Sequence, residues 1–445
     1  MKKMCISALL FTIIMMFGAC GNGNNQQQTA PPTPAPPAAT PTPATPTPPD
    51  TTGDDRPFAG QVLTLGIWGG NDAETAAIEQ VRADFEALTG ATINWRLYTN
   101  YNVQIQADFI AGGDVVPDAF YVEMGAAELF ADMGVLLPLN PADFEASAFY
   151  QNVIDAFTFN GTLYAIPKDQ SSLARYVNVR LLNAVGFELS DIPTAAEDYL
   201  AFLPVLQSAL DAEFGPGAVR AASGMFEPSR VLHWMNRGAS PFTADGRSNL
   251  SDPAVVAHLE FVASLFDTGA MMTPQDMGAG WNGEAFGLEL AVIMEEGNWV
   301  YGHLRDNFPA VEFEIIDMPT YQGVRSSMIF TVGWGIYTYS ANQELAAEWI
   351  RFKTGIDGMY TWTTGAGPLP TRPDVAARMA ANLSPGLNTH IAQIPVATPW
   401  VMGMFTSIIN DAFMNFMPVV INEGLPVAEA MQMADDQANM QIDFR

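Results

Sequence analysis

The chain has 445 residues, 48 of them Asp or Glu against 19 Lys or Arg, with two cysteines and four histidines. At roughly 150 residues per domain this length holds two or three domains, and an apolar content of 49% fills sizeable cores. A formal charge of −29 excludes electrostatic binding of nucleic acid or of an anionic membrane surface, and two cysteines exclude a disulfide framework.

Met1-Lys2-Lys3 is a short basic start, followed by an apolar run from Cys5 to Phe17. That run is too short to span a bilayer, which takes ~20 residues, and suits the apolar region of a secretory signal. It ends in Gly18-Ala19 directly before Cys20. The arrangement resembles a bacterial lipobox, with Phe17 and Gly18 departing from its usual residues, and implies a signal peptide over 1–19 and a lipid on Cys20. Residues 20–57 then form a linker in which Gly21 to Pro57 contains no Leu, Ile, Val, Met or aromatic residue, and Thr29 to Pro49 is almost wholly Pro, Ala and Thr. Such a segment cannot bury enough apolar surface to offset its ordering entropy, and proline keeps it extended as a semi-rigid stalk.

Beyond the stalk, Leu63, Leu65 and Ile67 alternate along a strand that ends at Trp68-Gly69-Gly70. Asn71 or Asp72 caps the following helix, whose buried stripe is Ala77, Ile78, Val81, Phe85 and Leu88. Ile93, Trp95 and Leu97 alternate as a second strand, Asn102 to Ala111 reads as a helix, and Phe120-Tyr121-Val122 as a third strand. Strand, helix, strand, helix, strand predicts a parallel sheet with crossover helices.

A series of short segments runs along the chain: Phe85-Glu86-Ala87-Leu88-Thr89-Gly90, then Gly113 to Asp118, Gly134-Val135-Leu136-Leu137-Pro138-Leu139, and Asn160-Gly161-Thr162-Leu163-Tyr164-Ala165-Ile166-Pro167. Tyr176-Val177-Asn178, Gly297-Asn298-Trp299, Val332-Gly333-Trp334-Gly335 and Gly367-Pro368-Leu369-Pro370 continue it. In this order the segments resemble the bacterial extracellular solute-binding proteins of the carbohydrate (maltodextrin-type) class. The resemblance implies an α/β fold of two lobes, each a mainly parallel sheet flanked by helices, joined by a hinge of crossing strands. Lobe one is expected over 58–165 plus 333–367, and lobe two over 166–332 plus 368–445. It also implies a sugar or oligosaccharide held between the lobes, ABC permease subunits as partners, and a monomer tethered outside the bacterial cell membrane. No cofactor, metal or nucleic acid is implied.

A sugar needs flat aromatics for its C–H face and carboxylates or amides for its hydroxyls, charged acceptors being about twice as strong as neutral ones. In open α/β sheets such residues gather at the carboxyl ends of strands. Trp68, Glu123, Tyr98 and Asn100 stand there, and Asp72 serves either as a sugar contact or as a helix cap. Trp299 occupies the tryptophan position of the resemblance. Trp281 and Asn282 lie in a glycine-rich loop, Trp334 on an interlobe strand, and Asp169 near the first crossing. Trp95 and Trp349 read as core, while Trp234, Trp362 and Trp400 have no assigned place.

Other readings are weaker. Gly278 to Gly283 spells GxGxxG, but no apolar strand precedes it, which argues against a dinucleotide loop. The chain has neither HExxH nor GxSxG, and its histidines, His233, His258, His303 and His390, lack ligand spacing. A secreted carbohydrate-active enzyme with paired carboxylates and a binder of a non-sugar solute such as a peptide or polyamine are the alternatives.

Overall fold

A computed structural model describes residues 56–231 and 239–444. The expected signal peptide, Cys20, nearly all of the linker, His233 and Trp234 lie outside the described residues. Among the described residues there are fourteen strands: β1 (Val62–Trp68), β2 (Thr92–Tyr98), β3 (Ala119–Glu123), β4 (Thr158–Phe159), β5 (Thr162–Leu163), β6 (Ile166–Asn178), β7 (Arg220–Ser223), β8 (Met271–Met272), β9 (Ala291–Gly297), β10 (Phe313–Ile316), β11 (Thr320–Tyr321), β12 (Val324–Arg325), β13 (Ser327–Ile336) and β14 (Ala397–Pro399). The main sheet runs β2-β1-β3-β13-β6-β9-β7-β8.

The amino-terminal elements form as their periodicity predicts. β1 pairs in parallel with β2 on one side and β3 on the other. Leu63, Leu65 and Ile67 are buried under the helix Asp72–Thr89, which turns Ala77, Ile78, Val81 and Phe85 inward. Leu88, expected in that stripe, is exposed, because the stripe ends at Phe85 and Thr89 takes the last inward place. Asn71 is the helix cap: its side chain accepts from the Glu74 amide and Glu74 accepts from the Asn71 amide, both at 2.9 Å.

Two long strands join the lobes. Ile166 to Ser172 of β6 pair with β13, whereas Leu173 to Asn178 pair with β9 and β10. β13 pairs with β3 at Val332–Ile336 and with β14 at Ser327–Ile329. Each strand thus begins in one lobe and ends in the other. Lobe one is filled by a core that includes Leu63, Phe85, Phe120 and Trp334. Lobe two holds separate cores around Leu203 and Val292, around Tyr176 and Phe286, and around Phe413 and Met431.

The first part of 368–445, a stretch expected in lobe two, packs beside lobe-one residues. Leu369 bonds to Gln170 through both backbone groups, at 2.8 and 2.9 Å, and Leu369, Val375, Met379, Ile394 and Ala397 all pack into the lobe-one core. The chain is held there because β14 adds to β13 before it leaves. The two last helices, Thr406–Glu423 and Val427–Asp443, then pack with helix Pro253–Asp267 around Phe413 and Met431.

Two buried basic groups sit beside the crossing strands. His390 Nδ1 lies 2.8 Å from the Ser172 carbonyl and donates to it, so Nε2, 2.8 Å from Tyr176 Oη, accepts the tyrosine proton. Burial pushes this imidazole down to about 3, and that of His258 to about 4. Lys353 is fully buried 4.6 Å from the Trp362 ring centre, and its Nζ has no hydrogen-bond partner. Burial, with Lys168 nearby, holds its amine well below the usual lysine range.

Both groups make stability depend on pH. The folded state keeps His390 neutral, while the unfolded chain protonates near the ordinary value of ~6.5. The unfolded state therefore binds more protons, and stability falls as pH drops from about 6.5 towards about 3. We expect urea midpoints to decline across that range, and His390→Gln to flatten the decline; an unaltered slope would refute the assignment. Lys353 is likewise less protonated when folded, so its penalty is largest below the unfolded value of ~10.4 and fades as pH approaches it. Lys353→Met should raise the melting temperature at pH 7 and gain less at pH 10, which calorimetry at the two pH values would check. Phe85→Ala, which removes a fully buried ring set edge-on to Trp349 at 5.2 Å, should cost ~3–5 kcal/mol in chemical denaturation.

Candidate functional site

The ends of the sheet strands bring side chains to the space beside β6 and β13. In lobe one, β1 ends at Trp68, whose half-buried ring meets Tyr101 edge-on at 5.0 Å and Tyr121 at 4.7 Å. Asp72 is exposed at the start of its helix, and the cap role belongs to Asn71. Asn100 is exposed, its backbone amide bonded to Gln104 Oε1 at 3.0 Å. Glu123, at the end of β3, accepts from Asn102 Nδ2 at 2.9 Å and remains half-buried. Trp68, Asp72, Asn100 and Glu123 therefore all present some surface.

In lobe two, β9 ends at Gly297, and Trp299 lies just beyond it with 39% of its surface exposed. Its indole lies across Gly297, where an added Cβ would come within 2.2 Å of the ring. The glycine two residues before the tryptophan is thus the seat that lets the ring lie flat on the backbone. Phe330 of β13 meets the indole edge-on at 5.2 Å, and the Arg230 guanidinium lies 5.3 Å from its centre. Trp281 is built in the same manner: its half-buried ring lies over Gly283 and meets His303 at 4.7 Å.

Four of the expected contacts are instead committed inside the protein. Tyr98 is buried, donating to Asp108 Oδ2 at 2.5 Å, and burial with that carboxylate pushes its phenol well above its ordinary range. Trp334 is completely buried between Tyr121, at 4.6 Å, and Trp349, at 5.8 Å, because β13 runs between β3 and β6 in mid-sheet. Asp169 is buried in an ion pair with Lys168 and accepts from Trp362 Nε1 at 2.6 Å. Asn282 is buried, accepting from Ser223 Oγ at 2.6 Å, and so ties the end of β7 to the start of the short helix Asn282–Gly287. Trp95 is half-buried and Trp349 fully buried, both touching the lobe-one core as expected.

Sequence reasoning missed Arg230, Phe330 and Glu296. Arg230 Nη1 lies 2.7 Å from Glu296 Oε1, and Glu296 is fully buried. Nothing local marks these residues: they come from three distant segments, and only the strand order of lobe two gathers them. Trp400, without an assigned place in the sequence, packs 6.4 Å from Phe330. Trp362 proves to be the partner of Asp169 and lies between Lys168, at 4.7 Å, and Lys353, at 4.6 Å. Asn298 links the lobes directly, accepting from the Ser172 amide and donating to the Gly367 carbonyl, each at 3.3 Å. Among the described residues no group of three His, Cys, Asp or Glu could hold a metal, and no helix is long and apolar enough to cross a membrane.

This arrangement can hold a ligand with an apolar face against an indole and donor groups against carboxylates, beside strands that pass between lobes. Known proteins share the architecture. An ABC substrate-binding protein from Listeria monocytogenes, in complex with cycloalternan, superposes with a TM-score of 0.72 at 18% identity, covering 86% of this chain and 100% of that one. The sugar-binding protein MalE from Xanthomonas citri gives 0.74 at 15% identity, covering 86% and 98%. The GacH receptor of Streptomyces glaucescens, studied unliganded and with acarbose, gives 0.69 at 18% identity, covering 86% and 99%. Comparison with curated protein sequences returns no match. Residues 80–388, well over half of the chain, match the sequence profile described as bacterial extracellular solute-binding protein, and the chain belongs to that family.

Proposed function

We propose that the protein is the substrate-binding component of an ABC importer, capturing a sugar or oligosaccharide between its lobes and delivering it to a membrane permease. The observation that carries this reading is Trp299, an exposed indole seated on Gly297 at the carboxyl end of β9, a face suited to a pyranose ring. Trp68 and Glu123 stand at the corresponding strand ends of lobe one. The cycloalternan complex, the acarbose complex and the MalE relative support a carbohydrate over a peptide or polyamine.

Besides the crossing strands, the lobes touch through Asn298 on the Gly367 carbonyl and through Thr389 and Gln393 on Ile315 and Asp317; we place lobe one over 58–165 plus 333–399 and lobe two over 166–332 plus 400–445. A ligand touching both would favour the closed form, since only differential affinity shifts such an equilibrium. The lipobox-like Phe17-Gly18-Ala19-Cys20 and the proline-rich linker support a body tethered by a lipid on Cys20 outside the cell membrane. A monomeric binder without catalytic activity fits this role, and the family's extracellular character agrees with the location.

A thermal-shift panel of mono- and oligosaccharides against peptides and polyamines tests the reading. A ligand at ~100 times its dissociation constant should stabilise the protein by ~2.7 kcal/mol, a rise of several degrees. If no glycan moves the midpoint while a peptide or polyamine raises it, the carbohydrate reading fails. Release of products on prolonged incubation with a bound glycan would instead establish an enzyme. Trp299→Ala should abolish binding while leaving the melting temperature within a few degrees; a large loss of stability would mark the indole as structural.

A further inference from the structure

Behind Arg230, at the carboxyl ends of β7 and β9, lies a cavity of about 50 Å³. A single water needs only ~10–15 Å³ of such space, so a group of several atoms fits. Most of its wall is apolar, including Met225, Val262, Phe266 and Met271. Two polar side chains that line it are unsatisfied: Arg175 Nε and Tyr199 Oη have no hydrogen-bond partner, although Arg175 is 1% and Tyr199 5% exposed. Both atoms are hydrogen-bond donors, and a buried donor left unpaired costs ~1–3 kcal/mol. The pocket therefore asks for an acceptor.

Its charges are already balanced. Arg175 Nη2 pairs with Glu295 at 3.0 Å, and Arg230 with Glu296 at 2.7 Å. A carboxylate or phosphate entering here would bring an uncompensated charge into a desolvated site, which is strongly unfavourable. A bare hydroxyl would satisfy a donor but leave the apolar wall unfilled. A neutral acyl group meets both demands, with its carbonyl oxygen accepting from Tyr199 Oη or Arg175 Nε and its methyl against the methionines and Phe266.

The cavity adjoins the aromatic platform. Arg230 lines it, and the same guanidinium lies 5.3 Å from the Trp299 ring and 5.8 Å from that of Phe330. A pyranose resting on Trp299 thus has the pocket mouth one guanidinium away. We propose that this cavity is the subsite for an N-acyl substituent, and that the captured glycan is an N-acetylated amino sugar. The assignment rests on the carbohydrate reading above and narrows it to one class.

The test is a calorimetric titration of the full-length protein with N-acetylglucosamine and its β-1,4-linked dimer. Matched glucosamine, glucose and glucuronic acid ligands form the comparison set. The acetylated ligands should bind about tenfold or more tightly than their unacetylated counterparts, the scale on which a filled apolar pocket discriminates. Equal or tighter binding of the unacetylated or anionic ligands overturns the subsite while leaving the sugar-binding proposal standing. Absence of binding by every glycan overturns both. Tyr199→Phe and Val262→Phe, the second filling the cavity, should each shrink the ratio of acetylated to unacetylated affinity. An unchanged ratio in folded variants, verified by circular dichroism, would also refute the subsite.

Discussion

Everything in this molecule depends on the hydrogen-bond ladder of β6, a strand of thirteen residues that changes partners between Ser172 and Leu173. Buried backbone groups must be paired somewhere, and a strand ending at the lobe boundary would leave unpaired edges in both sheets. Continuing the strand satisfies both halves at once, β13 serving the first part, and β9 with β10 the second. Side chains reinforce the same place. Ser327 Oγ accepts from the Leu173 amide at 3.0 Å and donates to its carbonyl at 2.8 Å, and Thr331 Oγ1 donates to Asp169 O at 2.7 Å. The register of β6 and β13 shifts between Val332 and Gly333, a local irregularity of the kind that bends and twists a strand.

That ladder explains why polar residues near the crossing are buried yet not free for a ligand. Asp169 is held by Lys168 and the Trp362 indole, and His390 is held by Ser172 and Tyr176. A charged or polar group taken out of water is tolerable only when so satisfied. Lys353 lacks such a partner, and its burial, with Lys168 nearby, holds the amine well below the usual lysine range. Partly exposed side chains lie instead where the ladder stops, with Trp68, Glu123 and Trp299 at or just beyond the ends of β1, β3 and β9, and it is there that we propose the ligand is held.

Much of the lobe-one fold was legible because its signals are local. The alternation of Leu63, Leu65 and Ile67 and the helical spacing of Ala77, Ile78, Val81 and Phe85 each follow from one element facing one core. Trp299 was singled out by its place in the resemblance and not by periodicity, and the structure adds that its ring lies over Gly297, two residues earlier. The places of Trp334 and Tyr98 were not legible, since a tryptophan beside glycines or a tyrosine at a strand end looks alike whether its ring faces a cleft or a core. The answer lies in partners far along the chain, Trp349 for one and Asp108 for the other. Nothing in the periodicity of the stretch after Gly367 says which strand β14 will join, and its pairing with β13 is a contact between distant segments.

By itself, the sequence determined the alternating strands and helices, the acidic balance and the ordered series of segments that marks the family, all of which are properties of neighbours in the chain. The tertiary structure alone decided which aromatic rings are exposed, which acids are tied into the hinge, and that Arg175, Tyr199 and Arg230 surround one cavity. Those outcomes are set by contacts between segments dozens to hundreds of residues apart, where burial and partner choice are settled by packing and not by local pattern.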